Sequence, residues 1–160
     1  MSAALGRFRT GPASRLDGVS NEAWQRFVAA LEVQSVGAVS LSGGFGAFDM
    51  RPRRLVELEY AANLRTCRTP YGRWIYVCDF VLPWTMRKFL SNQMAQYAAF
   101  ARSISLYHQE LMSGEIKRPA GMSLAGALAI LHIGGRGALA GWPKLFDNTR
   151  ARYDAACGAF

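Results

Sequence analysis

A carboxyl that donates a proton near neutral pH needs partial burial with water still in reach, and residues 24–35 offer such a place. Trp24, Phe27, Val28, Leu31 and Ser35 recur at helical spacing and form one stripe, with Glu32 and Gln34 flanking it on opposite sides. At such an edge a carboxyl loses part of its solvation, its pKa rises, and it can serve as a general acid. Cleavage of a glycosidic bond uses an acid of this kind. Glu32 is therefore the candidate catalytic residue. Downstream, Ser42-Gly43-Gly44-Phe45-Gly46-Ala47-Phe48-Asp49-Met50 is rich in glycine, and its Asp49 is the next carboxyl in line.

Other reactive side chains are sparse. Cys67, Cys78 and Cys157 form an odd set without metal-ligand spacing, so free thiols are expected, although Cys67 and Cys78 could face each other across a hairpin. His108 and His132 lie far from the cysteines in sequence, and His132 reads first as a hydrogen-bonded core histidine. Tyr71, Trp74 and Tyr76 read first as core or loop packing, with a sugar-stacking wall as the functional alternative.

The elements that must position these groups are mainly helical. Ser20 or Asn21 can cap a first helix running to about Val36, where Gly37 ends it. Pro52 suits the opening turn of a second, short helix. Pro70-Tyr71-Gly72 marks a turn between Thr66 and Val77, the place for at most a small hairpin. The strongest periodicity runs from Thr85 to Met112, with Met86, Phe89, Leu90, Met94, Tyr97, Phe100, Ile104, Tyr107 and Leu111 on one stripe, and it predicts a long central helix stopped by Ser113-Gly114. Gln93, Gln96 and Gln109 sit beside that stripe. Ser123 caps a segment, Leu124 to Leu131, that is apolar all round and hence buried, with Gly134-Gly135 ending it. Asp147 to Cys157 reads as a last short helix and Gly158-Ala159-Phe160 as a tail.

With 160 residues, 51% of them hydrophobic and 19% charged, the chain can bury a sizeable core. The expected organisation is an extended N-terminal arm over residues 1–19 and a single helical domain over residues 20–160. The longest apolar run, Leu124 to Ile133, is far short of the roughly 20 residues of a bilayer span, so no membrane span is expected. Residues 1–10 carry Arg7 and Arg9 and no apolar h-region, unlike a secretory signal. The net charge of +8 fits nucleic acid, anionic envelope polymers or an acidic protein face. Arg51, Arg53 and Arg54 make a small basic cluster, but no zinc spacing, RNP pattern or long basic helix argues for nucleic acid.

Three stretches together resemble the lysozyme-like superfamily, in its phage-type lytic transglycosylase or muramidase branch. The first is Gln34-Ser35-Val36, where that family has a Glu-Ser-Gly-like catalytic segment at the end of a helix. The second is Gly44-Phe45-Gly46-Ala47-Phe48-Asp49-Met50, matching its Gly-x-Gly-x-x-Gln-like turn. The third, His132-Ile133-Gly134-Gly135-Arg136-Gly137, is similar to an Ala-x-His-x-Gly-Gly-x-Gly segment before a helix. The resemblance covers Asn21 to Phe146 and implies a lysozyme-like fold with a long central helix.

It further implies a tail- or virion-associated protein that cleaves peptidoglycan glycan strands, localised in a phage tail or baseplate and acting in the bacterial envelope. Glu32 would be the acid, with Gln34, Ser35, Asp49 and Tyr97 as sugar contacts. One acid can protonate the glycosidic oxygen and then take a proton from the sugar's own hydroxyl as an internal ring closes, so no metal or cofactor is required. The implied partners are peptidoglycan and, through the N-terminal arm, other virion or tail proteins. Two alternatives stand beside it: a structural virion component that keeps the fold without the chemistry, since Gln34 is an amide where the family has an acid, and a cationic binder of nucleic acid or anionic surfaces.

Overall fold

The computed structural model describes residues 16–142 and 147–160. The chain runs α1 (Asn21–Leu31), α2 (Pro52–Glu57), β1 (Ala61–Arg68), β2 (Trp74–Phe80), α3 (Met86–Leu90), α4 (Gln93–Ser113), α5 (Leu124–Ala140) and α6 (Asp147–Cys157). It is mainly α, about half helical, with a small two-stranded antiparallel sheet, as the periodicity predicts. Its contacts group into two compact units. One is Val33–Ser103; the other comprises the described parts of Met1–Glu32 together with Ile104–Phe160. Most of the arm expected over residues 1–19, namely residues 1–15, lies outside the described residues.

In the unit built from the chain ends, α1 begins where the Ser20 hydroxyl accepts the Ala23 N–H at 3.1 Å, satisfying a donor that has no helical partner. Trp24, Phe27, Val28 and Leu31 are buried, as their spacing predicts. The helix stops at Leu31, short of the expected end near Val36. Glu32 is its C-cap with φ −80° and ψ 95°, its N–H still bonded to Val28 O. The N–H groups of Val33 and Gln34 then donate to Ala47 O at 2.8 and 3.3 Å, so the helical ladder has no further donors. The end of the chain, expected as a tail, is packed: the Phe160 ring lies 5.1 Å from that of Phe27, and Arg26 donates to Ala159 O at 3.1 Å.

Ser123 caps α5 by accepting the Gly126 N–H at 3.0 Å, and Ala125 to Leu131 are all buried. A Cβ on Gly126 would stand 2.5 Å from the Tyr153 ring and 3.0 Å from Cys157 Sγ, so a side chain there would prevent α6 from packing this closely. Gly134-Gly135 ends the first, buried stretch of α5, as expected. Gly135, at φ 75° and ψ −171°, kinks it, and helical geometry resumes as far as Ala140. The second segment is held to α4: Arg136 Nη2 lies 2.6 Å and its Nε 3.1 Å from the carboxylate of Glu110, and the guanidinium sits 5.7 Å from the Tyr107 ring centre.

In Val33–Ser103, Pro52 occupies the first turn of α2. Arg54, read as part of a basic cluster, is buried, with Nε and Nη2 donating to the hydroxyl and carbonyl of Ser103 at 2.7 and 3.0 Å. The hairpin is longer than expected, beginning at Ala61 and ending at Phe80. Its register shifts between Ala62 and Arg65, where Asn63 takes φ 55°, and this bulge hides the start of β1 from a period-two reading. Cys67 pairs with Ile75, not Cys78, and all three cysteines are free thiols.

The long helix expected over Thr85–Met112 is two helices. Thr85 caps α3 by accepting the Lys88 N–H at 3.0 Å, and Gly114, at φ +81°, follows the end of α4. Between them Asn92 starts a new helix, its side-chain oxygen accepting the Ala95 N–H at 3.0 Å, while Gln96 Nε2 donates to Phe89 O at 2.9 Å. The break shifts the phase of the apolar stripe, and Met86 and Met94, both assigned to it, are exposed.

Candidate functional site

The glycine-rich segment is a closed turn. Phe45 and Met50 exchange backbone hydrogen bonds at 3.0 Å in both directions, Gly46 N–H donates to Ala38 O at 2.8 Å, and Ser40 exchanges bonds with Gly44 and accepts the Gly43 N–H. Phe45, Ala47, Phe48 and Met50 are buried, and Phe48 stacks on Phe100 with ring centres 4.3 Å apart. Donors of Val33 and Gln34 reach three of its carbonyls, those of Ala47, Gly46 and Gly44. Gln34 Nε2 donates to Gly46 O at 2.8 Å and, at longer range, to Gly44 O at 3.4 Å.

A second amide, that of Gln96, is the hub of this region and is fully buried. Its Oε1 accepts the Ala47 N–H at 2.8 Å, and its Nε2 donates to Val36 O at 2.8 Å and to Phe89 O. The turn is shaped around it: Gly46 has φ +72°, and a Cβ there would lie 2.2 Å from Gln96 Oε1. The sequence placed Gln96 at the edge of a helix stripe, where glutamine is commonly a surface residue. Two of its three backbone partners, Val36 and Ala47, lie far from it in the chain.

The remaining candidates are placed as follows. Asp49 is buried, with φ 52°, and its Oδ2 pairs with Arg51 Nη2 at 3.1 Å. Its Oδ1 occupies the space a Cβ on Gly44 would need, 1.8 Å away, so Gly44 admits the carboxylate. Tyr97 is only 4% exposed and packs 6.5 Å from the Phe48 ring, as a core residue with no open face for a sugar. Ser35 is exposed, its carbonyl accepting the Ala38 N–H at 3.1 Å. Glu32 is half-buried at the end of α1, in the unit built from the chain ends. His132 is half-buried on α5 in that same unit.

No protein-family model matches the chain, and comparisons with curated proteins and with solved structures found no match.

The chemistry open to the turn follows from its bonding. Gln34 and Gln96 are engaged as amides, using donors that a carboxylate lacks. The hairpin differs from the expected packing: Tyr71, Trp74 and Tyr76 are all exposed. Burial, with a smaller contribution from the charge of Asp79, pushes the Cys78 thiol up from its ordinary value, which opposes thiolate chemistry there. Asp79 itself is held below the ordinary carboxylate value by hydrogen bonds from Arg65 and Asn63.

Proposed function

We propose that this chain is a lysozyme-like component of a phage tail or baseplate that engages the glycan strands of peptidoglycan without cleaving them. The observation that carries this reading is the hydrogen bonding of Gln34. The segments bearing the resemblance, Gln34-Ser35-Val36 and Gly44 to Met50, lie against each other, with Val33 and Gln34 bonded through their backbones to Ala47. The side chain at the acid's position is an amide turned onto Gly46 O. It has no proton to give at a catalytic pKa, and its geometry is that of a donor locking the turn. Peptidoglycan is polyanionic, so the +8 chain should associate with it most readily at low salt. Incubation with purified peptidoglycan tests this reading: the chain should sediment with the sacculi and release no muropeptides.

A second reading keeps catalysis, with Glu32 as the acid. Its half-buried position at the end of α1 favours it, since such a carboxyl combines partial desolvation with access to solvent. Glu32 would then protonate the glycosidic oxygen and afterwards take the proton of the sugar's own hydroxyl. In that case muropeptides are released, and Glu32→Gln abolishes the release.

A further inference from the structure

Side chains along a strand alternate between its two faces. The register sets Thr66 opposite Tyr76 and Arg68 opposite Trp74, so these four share one face of the hairpin. That face is open: Trp74 is 65% and Tyr76 44% exposed, and Thr66 and Arg68 are exposed beside them. Ile75 and Val77, half-buried, belong to the opposite face. Arg53 of α2 extends the open face, its guanidinium 4.9 Å from the Tyr76 ring centre and its Nη2 donating to the Tyr76 hydroxyl at 3.0 Å. Tyr71, in the turn beyond, is 88% exposed, while Arg73, one residue before Trp74, alternates onto the face of Ile75 and Val77.

Exposed aromatic rings interleaved with guanidinium groups suit a ligand that carries flat apolar rings on an anionic backbone. We infer that this face binds single-stranded nucleic acid, with bases stacked on Trp74 and Tyr76 and phosphates held by Arg53 and Arg68. The inference goes beyond the wall-directed reading and does not depend on it. A glycan fits this face less well, because reading sugar hydroxyls calls for carboxylate or carboxamide acceptors. Thr66 is the one neutral hydrogen-bonding side chain on the paired face beside the tyrosine hydroxyl. Asp79 alternates with Ile75 and Val77 onto the other face, where Arg65 and Asn63 hold it. A duplex fits less well too, since its bases are already stacked and cannot reach the rings.

The test is fluorescence anisotropy of a labelled oligothymidylate of about 12 nucleotides, within the range of single-strand site sizes. Trp74→Ala and Tyr76→Ala should each weaken binding by about tenfold, the usual scale of one lost base stack. The two arginines set the salt response: log affinity should fall against log salt with a slope of about −1.4. Arg118→Gln, which removes one positive charge from an exposed site elsewhere in the chain, should leave affinity within about twofold. Arg53→Gln with Arg68→Gln provides a second probe that leaves both rings in place, and it should flatten the salt slope. The inference is overturned if the aromatic variants, folded by circular dichroism, bind as the parent does. It is equally overturned if the arginine pair leaves affinity and slope unchanged, if a duplex of the same length binds as tightly as the single strand, or if heparin displaces the oligonucleotide with the same dependence on Trp74.

Discussion

Gln34 and Gly46 are joined by a 2.8 Å hydrogen bond in which the side-chain amide donates to the backbone carbonyl of the glycine turn. The direction of that bond matters. A carboxylate of the same length would bring an acceptor to an acceptor, so the position is built for an amide and not for a proton-donating acid. Gln34→Glu should therefore destabilise the fold at neutral pH by about 1 kcal/mol, the net worth of one lost hydrogen bond, since Gly46 O keeps the Asp49 N–H at 3.0 Å. Urea unfolding at pH 7 measures this, and an unchanged midpoint would mean that the amide does not lock the turn.

Local chemistry was legible where it is decided within a few residues. The caps at Ser20, Thr85 and Ser123, the proline at the start of α2, the Pro70-Tyr71-Gly72 turn and the burial of Ala125 to Leu131 all follow from side-chain type and spacing. What was not legible depends on distant partners. Nothing near Leu31 says that Ala47 O takes the next two N–H groups, and nothing near Gln96 says that its amide meets Ala47 N–H and Val36 O. The same limit applies to the candidate site. Gln34 and Tyr97, expected as sugar contacts from the resemblance, are respectively fastened to a turn and packed in the core, while Gln96, expected only beside a helix stripe, is the buried hub.

Gln96→Leu should be among the most damaging single changes on α4. It strips partners from Ala47 N–H, Val36 O and Phe89 O at once, and a cost of about 3 kcal/mol or more is expected. Gln109→Leu, on the same helix but exposed, should stay within about 0.5 kcal/mol of the parent. Equal losses in chemical denaturation would remove the distinction between the hub and an ordinary surface glutamine.

In α5, Leu128→Ala should cost about 2–5 kcal/mol because Leu128 is fully buried. Gly126→Ala should also destabilise, although alanine favours a helix by about 1 kcal/mol over glycine. The added methyl meets the Tyr153 ring and Cys157 Sγ. Thermal unfolding of the two variants checks both claims, and a Gly126→Ala protein that melts above the parent would contradict the close packing of α5 on α6.

The Arg65–Asp79 pair gives the hairpin a pH dependence of definite sign. The folded pKa of Asp79 is depressed, so its stabilisation is present above the ordinary carboxylate value near 3.8 and is lost as pH falls through the lower folded value. In an NMR titration the Asp79 carboxyl should ionise below that value in the parent, and Arg65→Gln should shift the transition upward. A titration that Arg65→Gln leaves in place would assign the depression to another cause.

The most direct measurement is the release of soluble muropeptides from purified peptidoglycan at low salt, across about pH 4 to 8, where a general acid would act, with binding to the same sacculi followed by sedimentation. The expected result is binding that weakens as salt rises, with no release by the parent at any pH. Release that disappears in Glu32→Gln, while circular dichroism and melting stay unchanged, would contradict the non-cleaving reading and make Glu32 the catalytic acid.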